Sequence, residues 1–268
     1  MAISNPIRSL QVLGTPLLVT DYNGLACQCE RWGQENRCVA MEFANTQIVT
    51  MRRHEAAFRE LTSAYDCFAA DGMPLVWCLN RAGANLRDRV YGPTFMRRFL
   101  SSVPSGFTHY LLGGSEECGA RLRDIFEKIN PGIRFVGSFH GRCLSDGLLE
   151  GAAQQRILDD INRLSPDFIW VGFGTPKQQA WVKQNKHLIR RGVIFTVGFA
   201  FDVNAGMKPD APAWMQHCGL TWAYRLAAEP RRLALRYFRY NSLFLFYLFW
   251  DGCRGLAWGS DLDPNQFP

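Results

Sequence analysis

Short apolar runs recur along the chain, separated by stretches in which apolar residues return at helical spacing. RCVAMEFAN (37–45), DCFAA (66–70), THYLLGG (108–114), IRFVGSFHG (133–141), DFIWVGFG (167–174) and VIFTVGFAFD (193–202) read as strands. Helix-like stretches at 47–64, 74–83, 93–103, 115–129, 147–164 and 177–190 lie between and after them. Strands buried on both faces are apolar throughout, and strands alternating with helices build βαβ units. The pattern predicts a Rossmann-like α/β fold, a largely parallel sheet flanked by helices. A helical segment from about 211 to 250 has no strand after it and is expected to dock as an appendage. The expected division is an α/β domain over 1–210 and a C-terminal helical appendage and tail over 211–268.

Several of these strands end on residues that change the picture. In FAADGMPLVW (68–77), Asp71 separates an apolar strand from the start of an apolar helix. It fits a cap for the helix beginning near Pro74, and it fits an acid or base, because ligands of open α/β sheets bind at strand C-terminal ends. In LLGGSEE (111–117), Gly113 and Gly114 would let a phosphate approach the backbone, whereas Glu116 and Glu117 would repel one and leave a plain turn. VGFGTPKQQAW (171–181) is more specific. Gly172 and Gly174 free the backbone, Thr175 can cap, Pro176 suits a first helical turn, and Lys177 brings a cation, a combination suited to a diphosphate. Gln178 and Gln179 suit sugar or base hydroxyls and amides; the competing reading is a capped surface helix with Trp181 turned inward. The Walker signature is absent, which argues against a P-loop ATPase. Asp202 closes the last apolar run, and Arg87 and Arg89 flank Asp88, where either can pair locally or reach a cleft.

At 268 residues and 47% hydrophobic, the chain can bury a large core. Its first residues lack the apolar core of a secretory signal, so a cytoplasmic protein is expected. Nine cysteines without a spaced CxxC pair point to reduced core thiols rather than a zinc site. The net charge of +6 is modest but concentrated: Arg225, Arg231, Arg232, Arg236 and Arg239 directly precede SLFLFYLFW (242–250). Aromatics are not interleaved with base-reading residues, so nucleic acid is not an expected partner. A nicotinamide-dependent oxidoreductase is disfavoured by the missing dinucleotide fingerprint.

In order along the chain, ADGMPLVW, RVYG, LLGG, VGFGTPKQQAW, FAFDVNAG and APAWMQHCGLTWAYRLAAEPRRLALRYFRYN resemble the WecG/TagA/CpsF family of bacterial glycosyltransferases, from about residue 10 to about 245. The resemblance implies inverting transfer from a UDP-sugar to an undecaprenyl-diphosphate-linked saccharide in cell-envelope or exopolysaccharide synthesis, with no cofactor and no metal. It puts the base on Asp71, a phosphate or leaving-group role on Arg89, and an orienting role on Gln178. With the strand-end readings it makes Asn45, Gly113, Gly114, Gly172, Gly174, Pro176, Lys177, Gln179 and Asp202 the expected donor-binding set. Two departures bear on substrate identity: the family's TxNAE is FANTQ here, with Phe43 and Gln47 replacing Thr and Glu, and PKQE is PKQQ. The one Asp-x-Asp pattern, Asp261 to Asp263, lies in the polar tail and is a poor metal site.

The apolar run at 243–250 is far shorter than the roughly 20 residues a spanning helix needs, so the appendage is expected to lie on the inner face of the cell membrane. Arg225, Arg232, Arg236 and Arg239, spaced near whole helical turns, would meet anionic headgroups or the acceptor's diphosphate, while Phe244, Phe246 and Trp250 reach the interface. The alternative is an amphipathic helix packed on the core or on another subunit, and family members can associate through the α/β domain. A noncatalytic sugar-nucleotide or lipid-binding protein is the competing functional class.

Overall fold

A computed structural model describes residues 7–141, 143–144, 146–149 and 153–253. The tail from 254 on, with Asp261 and Asp263, lies outside the described residues. The chain opens with an antiparallel hairpin of β1 (Ser9–Val12) and β2 (Thr15–Leu18), then α1 (Tyr22–Gln34), β3 (Cys38–Ala44), α2 (Thr46–His54), α3 (Ala56–Leu61), β4 (Cys67–Ala70) and α4 (Met73–Arg81). It continues through α5 (Gly92–Ser102), β5 (Thr108–Gly113), α6 (Glu116–Ile129), β6 (Arg134–Phe139), α7 (Ala153–Leu164), β7 (Phe168–Gly172), α8 (Lys177–Asn185) and β8 (Gly192–Thr196). Four helices close it: α9 (Ala200–Asn204), α10 (Ala213–His217), α11 (Thr221–Ala228) and α12 (Pro230–Cys253).

The sheet order is β1-β2-β4-β3-β8-β7-β5-β6, and every pairing except β1 with β2 is parallel. This is the α/β sheet that the strand–helix alternation predicts. Its two faces hold separate apolar clusters. One is aromatic, with Phe95, Phe99, Phe168, Trp170 and Phe195 in mutual contact. The other packs Ala40, Ala44, Val171 and Ile194 beneath Trp181, which is turned inward. Each buried Phe, Val or Ile among them contributes about 1.5–3 kcal/mol of transfer free energy, and β3, β8 and β7 form the floor of the site. The C-terminal ends of four adjacent strands, β4, β3, β8 and β7, emerge side by side from it.

α12 lies against α2, held by a seam of polar contacts on either side of the buried Phe244. Thr46 Oγ1 donates to Asn241 at 3.2 Å, the Tyr240 hydroxyl donates to Glu55 at 2.6 Å, His54 Nδ1 and the Tyr247 hydroxyl are 2.7 Å apart, and Arg53 pairs with Asp251 at 3.2 Å. The interfacial role expected of Phe244 is therefore corrected: its ring is only 3% exposed, packed into the core beneath the helix. Phe246 and Trp250 stay exposed, as do Leu235, Phe238, Leu245 and Phe249. Among the described residues no helix is long and apolar enough to cross a membrane.

Other boundaries differ from the sequence reading for local reasons. The apolar run at 193–202 is strand only to Thr196; Gly198 at φ 47° breaks it, and α9 follows, so Asp202 sits on a short helix. The expected helix at 47–64 bends at Glu55 into α2 and α3. The basic stripe is likewise interrupted, because Glu229 separates α11, which carries Arg225, from α12.

Candidate active site

The four central strand ends open onto two cavities that share Asn45, Gln47, Asp71, Tyr91 and Arg225. One, of about 320 Å³, is polar and is walled by Gly172–Thr175, Gln178, Val197–Phe199, Asp202, Lys208, Arg232 and Arg236. The other, of about 590 Å³, is largely apolar and runs between α4 and α12.

Asp71 follows the last residue of β4, and its amide donates to the Ala44 carbonyl at 2.8 Å, which ties it to the end of β3. The capping reading does not hold: the N-cap of α4 is Gly72, and no side chain caps that helix. The half-buried carboxylate instead faces the shared region of the two cavities. Burial lifts its pKa to about 7, against the pull of Arg89, Arg225 and the Gly92 amide. A carboxylate whose pKa lies near neutrality can take up a proton at working pH.

Cations surround it. Arg89 is 6% exposed; it donates to the Thr221 hydroxyl at 2.6 Å and stacks over Tyr91 at 4.4 Å, so its guanidinium is fixed in place. Arg87, by contrast, is exposed. Arg225 stacks over Phe199 at 4.2 Å. Arg236 has its pKa lowered by burial and by the nearby Arg232 and Arg225, and its buried Nε has no hydrogen-bond partner. Arginines brought together at this cost have the chemistry to meet an anion with several oxygens. Arg231 is exposed and lines neither cavity, and Arg239 lies 3.9 Å from Glu55.

The remaining expected residues divide. Asn45 caps α2 by accepting from the Ile48 amide at 3.1 Å, and it lines both cavities. Gln178 is 4% exposed and accepts from the Gly174 amide at 3.1 Å, bracing the loop after β7. Gly172 and Gly174 line the polar cavity, and Asp202 pairs there with Lys208 at 2.9 Å. Four others lie elsewhere than the sequence reading put them, and one serves the loop itself. Lys177 turns away and donates to the Cys143 carbonyl at 2.8 Å. Gln179 is fully buried and donates to Glu42 at 2.7 Å. Gly113 and Gly114 line neither cavity; a Cβ on them would meet Phe173 at 3.0 Å and Phe201 at 3.2 Å, so close packing explains these glycines. Pro176 precedes α8 after a cis Thr175–Pro176 bond.

Glu42, which sequence reading passed over, lies at the base of the polar cavity and is 2% exposed. The available signal was a single acid inside an otherwise apolar strand. Burial raises its pKa to about 8 despite the hydrogen bond it accepts from Gln179. Because its folded pKa lies above the ordinary carboxylate value, folding takes up a proton, and the native state loses stability as pH rises from about 4.5 to about 8. Glu42→Gln removes that loss. Thermal melts should show the variant and the parent alike near pH 4.5, with the variant several degrees more stable at pH 9; an equal gap at both pH values would mean that folding does not shift the Glu42 carboxyl.

Residues 10–257 match the model of the Glycosyl transferase WecG/TagA/CpsF family. The chain belongs to this family. Similar curated proteins include an N-acetylglucosaminyldiphosphoundecaprenol N-acetyl-beta-D-mannosaminyltransferase of Staphylococcus aureus (strain MRSA252), 28% identical over 192 residues that cover 71% of this chain and 72% of that protein. A protein of the same description from Bacillus spizizenii (strain ATCC 23059 / NRRL B-14472 / W23) is 25% identical over 199 residues, covering 74% of each. The chain is thus a member of a glycosyltransferase family, and its two cavities can be read with that chemistry in mind.

Proposed function

We propose that this glycosyltransferase moves a hexose or N-acetylhexosamine from a UDP-sugar to an undecaprenyl-diphosphate-linked saccharide, with inversion, on the inner face of the cell membrane. The observation that carries this reading is the placement of Asp71, a carboxylate with a pKa of about 7, where a polar cavity edged by arginines meets an apolar one. In this reading the polar cavity takes the donor. Its diphosphate lies against Arg225, Arg232 and Arg236, and Asn45, Gln178 and the glycine-freed loop around Gly174 meet the sugar or base. The acceptor hydroxyl enters from the opposite side, Asp71 Oδ takes its proton, and the oxygen attacks the anomeric carbon as the bond to UDP breaks. One base is enough for inversion. Negative charge growing on the leaving diphosphate is met by preorganised guanidinium groups, which lowers the barrier without a metal.

The relatives' names specify an N-acetylglucosaminyl-diphosphoundecaprenol acceptor and N-acetylmannosaminyl transfer, and this chain is proposed to use an acceptor of the same chemical class. Gln47 lines both cavities where the family pattern has an acid, so the choice of sugar is expected to turn on that position. The exposed apolar face of α12, with Phe238, Phe249 and Trp250, would rest in the membrane interface, close to the basic surface around Arg231 and Arg239.

The test is UDP release from a panel of UDP-sugars, with acceptor in neutral or anionic vesicles, with and without EDTA. Acceptor-dependent release from one donor, faster on anionic vesicles and unchanged by EDTA, is the expected result. Absence of release from every donor, with UDP still bound, would leave the noncatalytic binder in its place.

A further inference from the structure

The buried Arg89 guanidinium is held by one hydrogen bond and one aromatic face. Among the described residues its side chain donates only to the Thr221 hydroxyl, at 2.6 Å, and it lies 4.4 Å above the centroid of the Tyr91 ring. A planar cation stacked in this way is only as fixed as the ring beneath it. That ring is 5% exposed, and its hydroxyl donates to Asp210 Oδ1 at 2.9 Å. Burial and the Asp210 charge hold the Tyr91 phenol well above its ordinary pKa, so it keeps its proton and stays a donor. Asp210, in the segment between α9 and α10, is itself braced. Its Oδ1 also accepts from the Ala211 amide at 2.8 Å, and its Oδ2 accepts from Gln216 Nε2 at 3.2 Å. Gln216 Nε2 in turn donates to the Ala211 carbonyl at 2.7 Å, which locks the carboxylate against its own backbone.

We infer that Asp210 is a positioning residue for sugar transfer: by anchoring the Tyr91 ring, it holds the Arg89 guanidinium in place beside Asp71. That role rests on the proposed transferase reading, in which Asp71 is the base, and it falls to a residue that lines neither cavity. Asp71 is faced by Arg89, Arg225, Tyr22, Tyr91, Glu42 and Asp210. Asp210 acts on it by two routes of opposite sign. Directly, the Asp210 charge raises the Asp71 carboxyl; through Tyr91, Asp210 keeps Arg89 close, and Arg89 lowers it. Removing the charge alone therefore moves the Asp71 titration to acid values, and releasing the anchor alone moves it to alkaline values.

The test uses the full chain and reads the two side chains separately. Phenylglyoxal modification followed by peptide mass spectrometry reports on Arg89, and a ¹³C NMR titration assigned with Asp71→Asn reports on the Asp71 carboxyl. Asp210→Asn keeps an oxygen for Tyr91 but no charge, so Arg89 should stay as protected as in the parent while the Asp71 midpoint falls by about half a pH unit. Tyr91→Phe keeps the charge and the ring but loses the anchor. There Arg89 should be modified about tenfold faster, the midpoint should rise, and kcat/KM for sugar transfer should drop about tenfold, the loss expected for one hydrogen bond to a charged group. Asp210→Ala should expose Arg89 as Tyr91→Phe does. A role confined to folding would lower the melting temperature of all three variants without midpoint shifts of opposite sign. Arg89 modified at the parent's rate in both Tyr91→Phe and Asp210→Ala, or as fast in Asp210→Asn as in Asp210→Ala, would overturn the assignment, as would midpoints that move the same way in Asp210→Asn and Tyr91→Phe. If Asp210→Ala does not fold, Tyr91→Phe against Asp210→Asn decides. If the protection pattern and the opposed shifts appear but the parent turns over no UDP-sugar with any acceptor, the transferase reading fails and the anchoring of Arg89 by Asp210 stands.

Discussion

Asp71→Asn is expected to lower sugar transfer roughly 10²–10⁴-fold, the usual contribution of a positioned base, while leaving UDP binding intact. The same substitution should stabilise the protein in alkaline solution. Burial raises the Asp71 carboxyl to about 7, so the native state carries a proton there that the unfolded chain releases near 4. Between those values stability falls as pH rises, and above about 7 the whole cost of holding a buried carboxylate is present. Asparagine is neutral throughout. Melts at pH 8.5 should therefore place the variant above the parent by roughly 3–6 °C, and melts near pH 4 should place the two together. The parent's kcat/KM should climb about tenfold per pH unit below 7 and level off above it, following ionisation of the base in the free enzyme. Retained turnover in Asp71→Asn, or a flat profile through pH 7, would remove Asp71 from the chemistry.

Arg89→Met should reduce kcat/KM about 10²–10³-fold at pH 7, for two separable reasons. The first is lost attraction for a substrate phosphate on the side of the apolar cavity, which Arg89 lines, since a buried charge-assisted contact is worth about 2–5 kcal/mol when truncated. The second acts through Asp71: Arg89 is the first of the groups that hold its pKa down, so without the guanidinium the carboxyl titrates higher and the rising limb of the pH profile moves to alkaline values. Arg89→Lys separates the two. A lysine keeps the charge, and with it the position of the pH limb, but it cannot both donate to Thr221 and lie flat over Tyr91, so the loss should appear in KM. An unshifted limb in Arg89→Met would show that the guanidinium does not govern Asp71.

The parallel sheet was legible because β3, β7 and β8 are buried on both faces and therefore apolar apart from Glu42 and Thr196. The N-terminal hairpin was not: β1 and β2 are four residues each, joined by a two-residue turn with Leu13 and Gly14 at positive φ, too short for a periodic signal. α1 was missed because its buried positions are Leu25, Cys29 and Gly33, a stripe with little hydrophobic weight. At the site, motif reading brought Asp71, Arg89, Asn45, Gln178 and Arg225 to one place across about 180 residues of sequence, because Asn45 and Asp71 sit just past central strands, Gln178 and Arg225 sit on helices at those ends, and the loop that carries Arg89 is tied to the end of β4 by the Val90 amide, which donates to the Ala70 carbonyl. It misplaced Lys177 and Gln179 for a physical reason. Successive residues of α8 point about 100° apart, so a run of polar side chains cannot all face one cavity, and Gln178 alone does. Glu42 escaped attention because its meaning depends on Gln179, 137 residues away.

The two cavities have separate walls and share only a small patch around Asp71. Two substrates that approach such a patch from different sides do not obstruct one another, so neither has to be in place before the other arrives. In the proposed reading, this geometry corresponds to random-order loading: initial-rate lines for donor and acceptor that intersect, UDP competing with the donor alone, and an extended lipid that departs without waiting for the nucleotide. α12 borders both compartments, so its position would set the pace of both departures together.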